Sequence, residues 1–157
     1  MKILVFVKQV PDTDDVKLDP RTGNLMRDGV QSIINPLDAN GVETALQLKE
    51  QNGGKVVAIS MGPPQADDVL KKALAMGCDE SVLISDRALG GADTLATGYP
   101  LAKAAQKIGD YDLIVCGRHA TDAETAQTGP IIAAFLDIPQ VTLVDSVRIE
   151  GEYAICR

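Results

Sequence analysis

The chain has 157 residues, 45% of them hydrophobic and 3% aromatic, with a net charge of −7. That length and apolar content build one domain around one substantial core and leave little for a second. The acidic balance argues against non-specific nucleic-acid binding, which needs a basic face to displace counterions, and the absence of tryptophan removes the usual base-stacking platform.

Residues 3–7 form an apolar run broken by Lys8. The run is too short for a signal-peptide core or a membrane span and reads as a buried strand, so no membrane insertion is expected. Residues 12–29 interrupt the pattern: Val16-Lys17-Leu18 and Asn24-Leu25-Met26 flank the turn signal Asp19-Pro20-Arg21-Thr22-Gly23, which predicts a surface hairpin. A helix opens at Asn35-Pro36, with Asn35 at or near the cap, and closes at Gly53-Gly54. Strands follow at residues 55–61, 81–84 and 113–116. Helices are predicted over 65–76, 94–108 and 127–136. Residues 141–149 and 153–156 read as a final strand pair around Glu150-Gly151-Glu152. Short β-branched runs alternating with longer amphipathic stretches predict an α/β fold with a buried parallel sheet. Because the sequence stops at Arg157, inside a strand-like run, residues 1–157 are expected to be one domain truncated at its C-terminus.

Cys78, Cys116 and Cys156 stand far apart, and His119 is the only histidine. No metal cluster, disulfide framework or nucleophilic catalytic arrangement is expected, and a reducing cytoplasm is the simplest setting. His119 reads as polar surface and Cys116 as strand packing. Redox chemistry would have to come from a bound cofactor.

In open α/β sheets, ligands bind beyond the carboxyl ends of the strands. Three such ends stand out: Val7-Lys8-Gln9-Val10-Pro11, Ser60-Met61-Gly62-Pro63-Pro64, and residues 117–130. The last segment leads into a helix and carries Thr125 and Thr128. A helix N-terminus with free N–H groups can hold a phosphate or pyrophosphate, with Arg118 as a further anion contact. Ordinary capping by Thr125 or Asp122 explains the same residues equally well. At Gly90-Gly91-Ala92-Asp93-Thr94, a plain N-cap by Asp93 or Thr94 is the better reading. Neither GxGxxG after the first strand nor GxxxxGK[ST] is present.

Val7-Lys8-Gln9-Val10-Pro11-Asp12, Arg27-Asp28-Gly29-Val30, Asn35-Pro36-Leu37-Asp38, residues 43–50, Gly62-Pro63-Pro64-Gln65, residues 72–77, residues 117–129 and residues 136–140 together resemble the electron-transfer flavoprotein β subunit. The resemblance implies a three-layer, Rossmann-like or flavodoxin-like parallel sheet of order 3-2-1-4-5 with a C-terminal β-hairpin. It also implies a heterodimer with an α subunit that carries a redox FAD. In ordinary members the β-subunit ligand is AMP. In electron-bifurcating members it is a second FAD that takes hydride from NADH. Acyl-CoA or other dehydrogenases are the implied partners.

Ser85-Asp86-Arg87-Ala88 and residues 91–97 resemble the flavin-proximal segment of the bifurcating branch. His119-Ala120-Thr121 departs from the family's usual glutamine, alanine and isoleucine. Carried over by the resemblance, Phe6, Val7 and Lys8 line the adenine or ribose, Asn35 and Asp38 approach the base or ribose, and Ser60, Met61 and Gly62 form another wall. Asp93, Thr94 and Thr97 face a flavin. Gly117, Arg118, Ala120 and Asp122 lie near the nucleotide, and Thr125, Ala126, Gln127, Thr128 and Gly129 hold its phosphates. Two other classes are weighed: a nucleotide-binding stress-type sensor of related fold, which lacks its expected ATP-binding glycine pattern here, and a hydrolase or ligase, which lacks a Ser-Gly-Gly-x-Asp-Ser loop.

Overall fold

The computed structural model describes residues 1–12, 20–21 and 32–157. In chain order the elements are β1 (Lys2–Phe6), β2 (Gln9–Pro11), β3 (Ser32–Ile34), α1 (Pro36–Asn52), β4 (Lys55–Met61), α2 (Asp67–Met76) and β5 (Glu80–Ile84). There follow α3 (Thr94–Ile108), β6 (Leu113–Cys116), α4 (Thr128–Leu136), β7 (Val147–Glu150) and β8 (Tyr153–Cys156). The hairpin expected over residues 12–29 lies, apart from Asp12, Pro20 and Arg21, outside the described residues, as does Arg27-Asp28-Gly29-Val30.

The main sheet has the order β5-β4-β1-β6, with every neighbouring pair parallel. In chain order of its strands this is 3-2-1-4, the first four places of the expected arrangement. Residues 141–146 do not continue it: Val141 and Leu143 are 67% and 72% exposed, and Leu143 has a φ of 57° that departs from extended backbone. The C-terminal hairpin is formed by β7 and β8, which pair antiparallel as a separate ribbon. The short ladder β2–β3, with Val10 opposite Ile33, has no counterpart in the sequence reading, because three-residue strands carry too little periodicity to register.

Strand alternation divides the core into two. Ile3, Val5, Val56 and Ala58 pack against Val42, Ala45, Leu48, Val69 and Leu70 of α1 and α2. Leu4, Phe6, Val57 and Ile59 point the other way, onto Leu101, Ala102, Ala105 and Ile132 of α3 and α4. Both faces of β1 and β4 are therefore buried, which is why their sequences read as unbroken apolar runs.

Gly98 lies inside α3, where glycine costs about 1 kcal/mol relative to alanine. Its role is steric. A Cβ there would overlap Ile131 Cγ2 and lie 3.1 Å from Ile131 Cβ, so the glycine sets how closely α3 and α4 approach. Gly98→Ala is expected to destabilise the fold by about 1–3 kcal/mol in chemical denaturation. In an Ile131→Ala background the same change should cost clearly less, because the Cγ2 overlap is gone, only the 3.1 Å approach to the Cβ is left, and the helix-propensity gain remains.

Candidate functional site

At the carboxyl ends of the parallel strands the chain opens a cleft of about 820 Å³, within the range of small-molecule sites. Its floor is apolar: Phe6, Ile59, Met61, Leu101 and Cys116, drawn from the sheet face that carries α3 and α4. One wall is the connection from β5 to α3, residues 85–94, and the other is the connection from β6 to α4. β5 and β6 are separated by three interstrand steps, so the cleft spans roughly 14 Å of sheet edge.

A buried polar cluster holds the β1–β6 end in shape. The Lys8 N–H donates to Asp38 Oδ2 at 2.8 Å, and the Asn35 N–H donates to the Lys8 carbonyl at 2.9 Å. Asn35 is fully buried. Its Nδ2 donates to the His119 carbonyl at 2.8 Å, and its Oδ1 accepts from the Thr121 N–H at 3.2 Å. Lys8 Nζ lies 2.5 Å from Asp122 Oδ1, with the Asp122 side chain 3% exposed. The first turn of α1 thereby grips both the exit of β1 and the loop after β6. Gly117 makes this possible: a Cβ there would overlap the Asp38 carboxylate and lie 2.9 Å from the Asp38 nitrogen.

Burial pushes the Asp38 carboxyl up to about 6, against the lowering effects of its hydrogen bonds with Asn35 and Lys8 and of the Lys8 charge. Burial likewise pushes the Cys116 thiol up to about 12, with the Asp38 charge adding to it, so this cleft-lining sulfur is not a thiolate nucleophile near neutrality.

The two helices that start at the cleft differ. α3 is capped by its own chain, since Asp93 Oδ1 accepts from the Ala96 N–H at 2.7 Å. α4 begins without a side-chain cap. Its N-cap residue is Gln127, preceded by Ala126 in the left-handed region at φ 54°. The helix itself leaves the N–H groups of Thr128 and Gly129 without acceptors, and both residues line the cleft. An anion at this end would meet free donors and the positive end of the helix dipole.

The electron transfer flavoprotein domain family matches residues 22–157 of the chain. The chain belongs to the electron transfer flavoprotein family. It is 57% identical over 155 residues to the electron transfer flavoprotein subunit beta of Thermoanaerobacterium thermosaccharolyticum, covering 99% of this chain and 59% of that protein. It is 53% identical to the caffeyl-CoA reductase-Etf complex subunit CarD of Acetobacterium woodii, covering 99% of this chain and 60% of the relative. It is 46% identical to the acryloyl-CoA reductase electron transfer subunit gamma of Anaerotignum propionicum, covering all of this chain and 60% of the relative. The chain thus spans about three-fifths of the length of these relatives.

Against the positions carried over from the family, the structure brings together Phe6, Val7, Lys8, Asp38, Met61, Gly62, Asp93, Thr94, Thr97, Gly117, Ala120, Thr125, Ala126, Thr128 and Gly129 around the one cleft. Five of the expected residues do not line it. Asn35 and Asp122 lie behind the wall, with their side chains bonded to the chain itself. Ser60 follows the strand alternation onto the opposite sheet face, where its buried hydroxyl has no partner among the described residues. Arg118 is exposed, and Gln127 contributes the helix cap rather than a cleft surface. His119 and Arg87, by contrast, do line the cleft and were not among the expected site residues. His119 Nε2 is 3.6 Å from Glu124 Oε1, so the histidine is turned toward the loop rather than outward as plain surface. Among the described residues no cluster of three potential metal ligands occurs, and no helix is long and apolar enough to cross a membrane.

Two outcomes follow for the buried cluster. Asn35→Ala strands the His119 carbonyl and the Thr121 N–H, and should cost about 2–3 kcal/mol in thermal or chemical unfolding. Asp38 holds its proton in the folded chain between pH 3.8 and about 6, where the unfolded chain has lost it. Its contribution to stability is therefore present at low pH and is lost as pH rises through that window, by about 3 kcal/mol in all. Asp38→Asn should remove this slope, so that variant and parent diverge in melting temperature between pH 4 and 6.5, with the variant gaining as pH rises.

Proposed function

We propose that the chain is the nucleotide-binding portion of an electron-transfer flavoprotein β subunit. In this reading it holds FAD along the carboxyl edge of its sheet and passes electrons in complex with an α subunit. The observation that carries this is the length of the cleft. AMP needs only the half that contains the β1 and β6 ends and the α4 N-terminus. A cleft that also runs past β4 to the β5–α3 connection has room for a dinucleotide, and its far half is floored by Met61, Ile59 and Leu101, an apolar bed suited to a flat ring.

The chain's own groups divide the work. The Thr128 and Gly129 N–H groups, with the Thr125 and Thr128 hydroxyls, bind the phosphates. Phe6, Ile59 and Met61 exclude water from the floor, and Thr94 and Thr97 face the ring end from α3. When bound, FAD supplies the hydride and single-electron chemistry that the described side chains do not. The names of the relatives in Acetobacterium and Anaerotignum, which place them with CoA-ester reductases, support an acyl-CoA dehydrogenase or reductase as the electron partner. Hydride entry from NADH with bifurcation, and a cytoplasmic location, belong to the same reading.

The test is an absorbance spectrum and chromatography of the denatured extract, followed by titration of the chain with FAD and with AMP. The expected result is flavin bands near one per chain and tighter binding of FAD than of AMP. Binding of AMP as tight as that of FAD would show the β5 half of the cleft to be unused and would make AMP the ligand.

A further inference from the structure

At the β1–β6 end of the cleft, one carboxyl both belongs to the buried cluster and faces the cleft. That group is Asp38: it is 7% exposed, accepts from the Lys8 N–H, and yet contributes to the cleft surface. Gly117 lies against the Asp38 carboxylate, and a Cβ at Gly129 would touch Cys116 at 3.5 Å. With consecutive Cα atoms 3.8 Å apart, the carboxyl is about 10 Å from the first turn of α4. An anion held by that turn would therefore act on Asp38 across the Gly117–Cys116 stretch that lies between them.

Resting on the reading of the cleft as a dinucleotide site, we propose that Asp38 couples ligand binding to pH. It takes up a proton as the phosphates settle at the N-terminus of α4. The groups that face it are Lys8 from the exit of β1, Cys116 at the end of β6, and His119 and Asp122 from the following loop. Lys8 is already matched by Asp122 at 2.5 Å, so it has no second charge to offer when a ligand brings more negative charge. Cys116 stays neutral across the physiological range. The Glu124 carboxylate lies beside His119, which leaves histidine as the competing proton acceptor to be tested.

Without ligand, burial already sets Asp38 near 6. A phosphate charge at about 10 Å in a medium of intermediate dielectric raises it by about one pH unit further. The chain then absorbs about half a proton per ligand at pH 6.5 and almost none at pH 8. Affinity is close to tenfold tighter at pH 5 than at pH 8. Asp38 makes this a positioning and coupling role, because the carboxyl is not placed on the reacting ring.

The experiment is calorimetric titration of the chain with FAD in buffers of different ionisation enthalpy at pH 6.5 and 8. FAD is the probe because the AMP monoester titrates near pH 6 on its own account, whereas the pyrophosphate diester does not. Uptake at pH 6.5 that is absent at pH 8, lost in Asp38→Asn and kept in His119→Gln, supports the proposal. Binding with no proton uptake at pH 6.5 overturns it, as does uptake abolished by His119→Gln. If Asp38→Asn does not fold, the parent chain and His119→Gln decide between the same outcomes. Failure of FAD to bind at any pH overturns the cleft reading and the coupling together. Binding without uptake removes the coupling alone.

Discussion

The contact on which the rest of the site depends is the meeting of the first turn of α1 with the loop that leaves β6, at Gly117. Only a residue without a side chain lets the Asp38 carboxylate and the backbone of Leu37 come this close. Once they do, the Lys8 N–H, the Asn35 amide and the Lys8–Asp122 pair close around the junction, and each buried polar group finds a partner. A half-satisfied network in the same place would be costly, because each stranded donor or acceptor carries a penalty of about 1–3 kcal/mol. The cluster ties two strand exits, those of β1 and β6, to one helix start, so the β1–β6 end of the cleft is built into the fold.

The opposite end has a different construction. There the wall is the β5–α3 connection, most of whose residues are exposed, and its local order comes from short caps. Asp86 accepts from the Ala88 N–H at 2.8 Å, and Asp93 accepts from the Ala96 N–H. No buried long-range hydrogen bond comparable to those of Asn35 holds this wall among the described residues. One end of the cleft is thus rigid by burial and the other is ordered by sequence-local bonds, which open more readily. The close approach of α3 and α4 at Gly98 and Ile131 supports the floor between them without bearing on either wall.

Much of the fold was legible in the sequence, and the reasons are physical. Strands β1 and β4 announced themselves because burial on both faces demands unbroken apolar runs. α3 runs over the expected residues 94–108, with Asp93, one of the two expected caps, bonded to its first turn and Gly109 closing it, despite Pro100 within it. The site was legible as a region more than as a set of side chains. Ser60 was assigned to a wall beside Met61 although neighbouring strand residues face opposite ways. The family resemblance sets Asn35 and Asp122 near the nucleotide, and in the fold their side chains bond to Thr121, His119 and Lys8. No local pattern marks a side chain as already spent, since its partners are 84–114 residues away. His119 was dismissed for the converse reason: a lone histidine in a loop carries no signal until the loop is folded over a cleft. The strand expected over residues 141–149 as one arm of the final pair forms only from Val147 onward, because the β-branched composition before it is outweighed by the turn at Leu143.

The difference between the two helix starts gives the cleft a direction. α3 begins with a carboxylate already bound to its first turn, so its positive end is neutralised by Asp93, and Asp86 adds a second carboxylate to the same wall. An anion approaching there meets two negative groups and one guanidinium, Arg87. α4 begins without a cap, Asp122 is turned onto Lys8, and the one carboxylate lining this side of the cleft, Asp38, is 7% exposed and bound to the Lys8 N–H rather than to the helix start. A ligand with a phosphate-bearing middle and a neutral ring therefore has one favoured orientation, phosphates toward α4 and ring toward α3, because the reverse would set charge against charge. Sequence composition alone could not supply that polarity. Asp93 and Asp122 are the same residue type at two loop-to-helix junctions. What distinguishes them is that one carboxylate caps its own helix while the other is held by a lysine more than a hundred residues earlier in the chain.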